Sequence, residues 1–112
     1  MLIKEKRIKK RKDFEIIFRN SKSLKNNLFV LRVAKNNLQI SRFGFVVSQK
    51  VSKKATVRNK VRRRLVAAIK AEEKNIKSGS DLVFIALSGI EKKEFLEIKE
   101  AINKALIRVG VL

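Results

Sequence analysis

Cysteine, histidine, tryptophan, tyrosine and proline are all missing from the 112 residues. Without Cys or His there is no disulfide framework, no zinc site built on those ligands, and no chemistry with a His base or Cys nucleophile. The lack of cysteine fits a reducing cytoplasm. Long apolar runs are missing as well. The longest, Leu82 to Leu87, is far short of the ~20 residues that cross a bilayer. No apolar segment follows the charges of Met1–Lys12, so neither a signal peptide nor a membrane partner is expected. Acids are scarce: 10 Asp and Glu face 29 Lys and Arg, a net charge of +19. Hydrophobic residues make up 45%, too many for a disordered tail. The length suits one compact domain over 1–112.

The acids are also unevenly spread. None occurs from Ile16 to Ala71, a stretch holding 15 bases, whereas from Glu72 onward seven bases meet seven acids. Unbroken charge of one sign destabilises a compact state by self-repulsion, and solubility alone is better served by interspersed signs. Phosphates would relieve that repulsion, and release of their condensed counterions would drive binding. The distribution points to a nucleic acid.

Residues 1–11 read as a basic arm, mobile at its start. Phe14, Ile17 and Phe18 form an apolar stripe on a short first helix ending near Asn20. Ser21–Asn27 has no clear period and reads as a turn or short edge strand. Leu28–Ala34 alternates as a strand, with Phe29, Leu31 and Val33 on one face and Arg32 on the other. Asn36-Asn37 suits a turn. Phe43, Phe45 and Val47 alternate along a further strand. Val57, Val61, Leu65, Ala68, Ile69, Glu72 and Ile76 track one side of a long helix, which Ser78–Asp81 breaks. Leu82–Leu87 reads as a strand buried on both faces. Ser88 and Glu91 make a capping-box pattern. The last helix carries Phe95, Ile98, Ile102, Leu106 and Val109, with Gly110 as its stop. The expected class is an α/β (α+β) two-layer sandwich in αβββαβα order, with one small sheet and helices mainly on one face.

The middle helix has its charges reversed. A helix start favours acids, yet Arg58, Lys60, Arg62, Arg63 and Arg64 crowd the first two turns while Glu72 and Glu73 come late. Each misplacement costs a few tenths of a kcal/mol. Guanidinium groups beside free helix amides nevertheless make a phosphate receptor. At 100° per residue, Asn59, Lys60, Arg63 and Arg64 fall opposite the Val57/Val61/Leu65 stripe, with Arg58 and Arg62 at its border. Lys50, Lys53 and Lys54 on the preceding loop extend the patch.

Lys50 through Leu65 (Lys-Val-Ser-Lys-Lys-Ala-Thr-Val-Arg-Asn-Lys-Val-Arg-Arg-Arg-Leu) resembles the signature of the bacterial ribonuclease P protein subunit. The similarity extends to Arg7–Phe18, a basic start followed by two Phe one turn apart. It also covers Arg42–Lys50, a Gly-containing strand running into a Ser-x-Lys turn. The resemblance implies a protein that binds a catalytic RNA subunit and the 5′ leader of precursor tRNA, whose chemistry is carried by the RNA with Mg²⁺. It implies that Arg58, Asn59, Lys60, Arg62, Arg63 and Arg64 hold the RNA subunit, with Lys50, Lys53 and Lys54 beside them. Phe14 and Phe18, joined by Arg32 and Phe45 from the sheet, are placed at the leader. A left-handed crossover between the third and fourth strands and a monomeric free protein are implied too. The chain departs from the family in three places. Lys60 replaces the second Arg of the signature, Val66-Ala67 stands where Arg-Glu is common, and Arg32 takes a frequent aromatic position.

No residue of the chain is expected to catalyse cleavage or to hold a metal. Glu91, Glu94, Glu97 and Glu100 recur at threes, but Lys92, Lys93 and Lys99 intersperse them, as on a salt-bridged helix face. The alternative from another class is a ribosomal or other structural RNA-binding protein without a role in catalysis.

Overall fold

The computed structural model describes residues 6–112. The elements are α1 (Arg11–Asn20), β1 (Lys22–Lys25), β2 (Phe29–Lys35), β3 (Arg42–Val46), α2 (Ala55–Glu72), β4 (Ser80–Ala86) and α3 (Phe95–Arg108). Short 3₁₀ turns lie at Glu73–Asn75 and Ile90–Lys92. The expected αβββαβα order and α+β class are both present.

The four strands lie in the order β1-β2-β4-β3. β4 is antiparallel to β2 and parallel to β3, so α2 is the crossover between neighbouring parallel strands. Its central place explains why Leu82–Ala86 is apolar on both faces. Leu82, Phe84 and Ala86 join Phe29, Leu31 and Phe43 under α2 and α3, against Val61, Leu65, Ile69, Ile98, Ile102 and Leu106. Val83 faces the other way, into a smaller cluster with Ile8, Ile17 and Ala34, flanked by Phe14, Val46 and Ile85. Two helices therefore cover one face and the short α1 covers part of the other. Ser21–Asn27 resolves into the edge strand β1, Lys22 opposite Val33 and Lys25 opposite Val30.

Local chemistry sets the boundaries. Asn36-Asn37 turns the chain, with Asn37 at φ 57°, a left-handed conformation that Asn tolerates. α3 ends in a Schellman motif: Val111 N–H donates to Leu106 O and Gly110 N–H to Ile107 O, with Gly110 at φ 83°, where a Cβ would strain the backbone. The capping-box expectation is corrected. Glu91 Oε1 accepts from Gly89 N–H at 2.7 Å, which serves the 3₁₀ turn, and α3 begins at Phe95 with Glu94 as N-cap and no side-chain cap. Ile76 likewise lies past the end of α2, though it still packs against the core.

Met1–Glu5, the start of the basic arm, lie outside the described residues. The rest of that arm runs beside the sheet edge. Arg7 bridges Phe43 in parallel, Ile8 N–H donates to Phe43 O at 2.8 Å, and Lys6 Nζ meets Glu73 Oε1 at 2.7 Å.

Candidate nucleic-acid interface

The loop before α2 is pinned by buried Val51 and by hydroxyl turns, Lys50 N–H donating to Ser48 Oγ and Lys54 N–H to Ser52 Oγ. Lys50, Lys53 and Lys54 are thereby left exposed on a fixed loop. Lys54 is the N-cap of α2, and neither a side-chain cap nor an acid occupies its first turn. Arg58 instead ties the preceding loop to the helix, its Nη1 donating to the carbonyls of Ser52 and Lys53 at 3.0 and 2.9 Å. Arg62 Nη1 donates to Asn59 Oδ1 at 2.9 Å, and Arg64 Nη1 to Lys93 O at 2.9 Å. Lys60 and Arg63 are exposed. The six residues of the α2 cluster thus divide: Arg58 and Arg64 clamp neighbouring backbone, while Lys60, Arg63 and the Asn59–Arg62 pair face outward. Arg7, which sequence spacing did not single out, joins Asn59, Arg62, Arg63, Val66, Ala67 and Lys70 around a hollow of about 510 Å³. Its only signal was membership of the basic arm; the strand-like bridge to Phe43 that places it is non-local.

A second surface lies on the opposite side of the sheet. Phe14 and Phe18 stand one turn apart on α1 with ring centroids 6.3 Å apart at 45°, and Phe18 is 40% exposed. Arg32, between Ser23 and Val83 across the ladder, sets its guanidinium 5.6 Å from the Phe18 ring centroid. Its Nη1 makes long contacts to Phe18 O and Ser21 Oγ, 3.5 and 3.4 Å, while its buried Nε has no partner. Gly44 lies beneath Phe14, so close that a Cβ there would approach Cε1 to 2.7 Å. Phe14, Phe18 and Arg32 are brought together as expected. Phe45 is not. Its ring stacks on Phe84 at 5.9 Å and 12° and packs with the core under α2 and α3. The period-2 alternation that sets Phe45 beside Phe43 puts it on the wrong face of the sheet for the Phe14/Phe18 group.

Beside this surface a buried carboxylate organises three strands. Asp81, 4% exposed, takes Arg42 Nε and Nη2 at 2.9 and 2.6 Å and Asn36 Nδ2 at 2.8 Å. That hydrogen bonding, opposed by burial, raises the Arg42 pKa above its ordinary value. The guanidinium therefore stays charged, and its bidentate pair with Asp81 is structural. Glu91 is spent on Gly89, Glu97 pairs with Lys93 at 3.9 Å, and among the described residues no group of three or more acids converges.

A family model described as Ribonuclease P matches residues 2–110. The chain is 40% identical over 110 residues to the ribonuclease P protein component of Clostridium botulinum strain 657, covering 97% of this chain and 98% of that one. It is 35% identical to the protein of the same name from Caldanaerobacter subterraneus, covering 89% and 85%. Among solved structures, an RNase P protein mutant of Staphylococcus aureus superposes with a TM-score of 0.90 at 29% identity, covering 97% and 92%. The RNase P protein of Thermotoga maritima gives 0.83 at 34% identity, covering 91% and 96%.

Proposed function

This chain belongs to the ribonuclease P protein family, and on that premise we propose how its two surfaces divide the work of removing the 5′ leader from precursor tRNA. α2 and its loop hold the catalytic RNA: Lys60, Arg62 and Arg63 neutralise phosphates, with Lys50, Lys53 and Lys54 extending the track. Arg58 acts one step back, holding the loop against the helix start. The single-stranded leader lies across α1 and the open sheet face, its bases against Phe14 and Phe18 and its phosphates or base edges near Arg32. The observation that carries this reading is the layering itself. The arginine-rich start of α2 and the half-exposed aromatic pair sit on opposite faces of one sheet, so one body can grip two RNA segments at once. The family assignment displaces the alternative of a ribosomal protein.

The protein's contribution is affinity and position. The chain has no His or Cys and its described residues bring no three acids together, so in this reading the ions needed for phosphodiester hydrolysis are held by the RNA and its substrate. No helix among the described residues is long and apolar enough to cross a membrane, and the proposed setting is the bacterial cytoplasm.

Reconstitution tests the proposal. Added to a bacterial ribonuclease P RNA at low Mg²⁺, the protein should accelerate leader removal. Phe18→Leu should keep RNA-subunit affinity but lose roughly fivefold or more in affinity for leader-bearing over mature tRNA, the equivalent of ~1 kcal/mol from one lost base stack. Equal loss for both tRNAs contradicts a leader site on α1.

A further inference from the structure

We propose that the hollow between Arg7 and α2 is a pocket for a single extruded nucleobase of the RNA partner, an inference that rests on the RNA-binding reading above. A surface that only tracks a phosphate backbone needs cations and no hollow. Here two apolar side chains, Val66 and Ala67, share the lining of a hollow of about 510 Å³ with Arg7, Asn59, Arg62, Arg63 and Lys70. We take the first two as its apolar floor and the cations as its charged rim. A free phosphate gains nothing from an apolar floor, and an apolar ligand gains nothing from four cations. A nucleotide offers both surfaces, a flat ring face for the floor and flanking phosphates for the rim. Guanidinium planes also stack on bases, which Lys cannot do.

The backbone on both sides of the hollow is held in place. Arg7 is held by its bridge to Phe43, and the next residue, Ile8, is buried on the other layer with its N–H on Phe43 O. Arg62 is tied through Nη1 to Asn59. A site on one helix and one strand-like segment is a preformed receptor, which lowers the ordering cost of binding. Removing a base from a duplex costs a few kcal/mol. The occupant is therefore a nucleotide of a loop or bulge, where unstacked bases are already available.

Filling the hollow without touching charge separates this pocket from a simple phosphate surface. Ala67 is exposed on α2, so Ala67→Leu adds volume at a position where Leu is a good helix former. The parent, Ala67→Leu, a control Ile107→Ala on the exposed side of α3 and Arg63→Ala are titrated with a bacterial ribonuclease P RNA across a salt series, and their unfolding midpoints are compared. Ala67→Leu should bind about tenfold more weakly at every salt concentration, corresponding to ~1.4 kcal/mol, with the parent's slope of log K against log salt and an unchanged midpoint. Ile107→Ala, outside the hollow, should bind like the parent, and Arg63→Ala should reduce the slope by about one. Equal binding by Ala67→Leu and the parent overturns the pocket while leaving the RNA-binding reading intact. A parent without salt-sensitive affinity for the RNA overturns both.

Discussion

A single missing Cβ governs the aromatic surface. Gly44 has ordinary strand geometry, so its role is space and not conformational freedom. A methyl group there would meet Phe14 Cε1 at 2.7 Å and Cζ at 2.9 Å, with Ile8 Cβ at 3.4 Å behind. Real contacts are never that short, so Phe14 must move, and with it the ring pair that Phe14 forms with Phe18. Gly44→Ala is expected to cost ~1–3 kcal/mol as an overpacked contact. It should also weaken leader-bearing tRNA more than it weakens RNA-subunit binding. Thermal unfolding and paired tRNA titrations read the two effects separately. Unchanged values in both would mean that the ring swings aside freely and that its seat on Gly44 is incidental. Arg32 shows the same economy of space: its Nε is buried with no acceptor, a penalty of ~1–3 kcal/mol in a finished core. That orphan donor sits beside Phe18, where an incoming acceptor can be reached by a modest shift of the guanidinium.

At the scale of elements, α2 separates cations that build from cations that bind. Arg58 donates to two carbonyls of the preceding loop, whereas Arg63 makes no such bond and is exposed. Arg58→Ala should therefore lower stability by about 1 kcal/mol, the usual net worth of a lost hydrogen bond, and weaken RNA binding partly through a loosened loop. Arg63→Ala should leave the denaturation midpoint in place and act on RNA affinity alone. Identical stability losses would erase the distinction. This division was invisible in the sequence, where all six α2 positions share one local pattern and nothing marks which guanidinium meets a carbonyl. What was legible were periods. The 3.6-residue stripes of α2 and α3, the apolar run Leu82–Ala86 of β4 and the Gly110 stop all follow from local spacing. What was not legible were pairings between distant segments: β4 entering between β2 and β3, Arg7 beside Phe43, Asp81 under Arg42. Phe45 failed for that reason. Alternation says that it shares a face with Phe43, but only the docking of α1 and α2 says which face is open to RNA. Glu91 failed differently, because a nearer amide, that of Gly89, competed for its carboxylate.

For the whole molecule the decisive quantity is charge per size. A net charge of +19 is carried on a body of 36 × 28 × 25 Å. The Debye length falls from ~30 Å at 0.01 M salt to ~8 Å at 0.15 M. In dilute salt every cation therefore repels every other across the molecule, and near physiological salt only neighbours interact. The ion pairs among the described residues relieve this in a few places, notably Arg42–Asp81 and Lys6–Glu73. Among the described residues no ion pair reaches Lys60, Arg62 or Arg63 in the outward row of α2, and α2 itself has no acid before Glu72. Two mechanisms could stabilise the free protein as anions are added, and they make different predictions. Screening depends on ionic strength alone, so chloride and a polyphosphate matched in ionic strength should raise the unfolding midpoint equally. Site binding depends on the ligand, and stabilises by about 1.4 kcal/mol at tenfold excess over its Kd, which for a chain of this length is a rise of about 4–6 °C. Because the unpaired guanidiniums are clustered on one helix and not scattered, the expected outcome is the second. Millimolar pyrophosphate should raise the midpoint by several degrees beyond ionic-strength-matched chloride, and the excess should shrink in an Arg62→Ala/Arg63→Ala variant. Equal midpoints in the two salts would show that the row acts only as diffuse repulsion and that no anion site precedes the RNA.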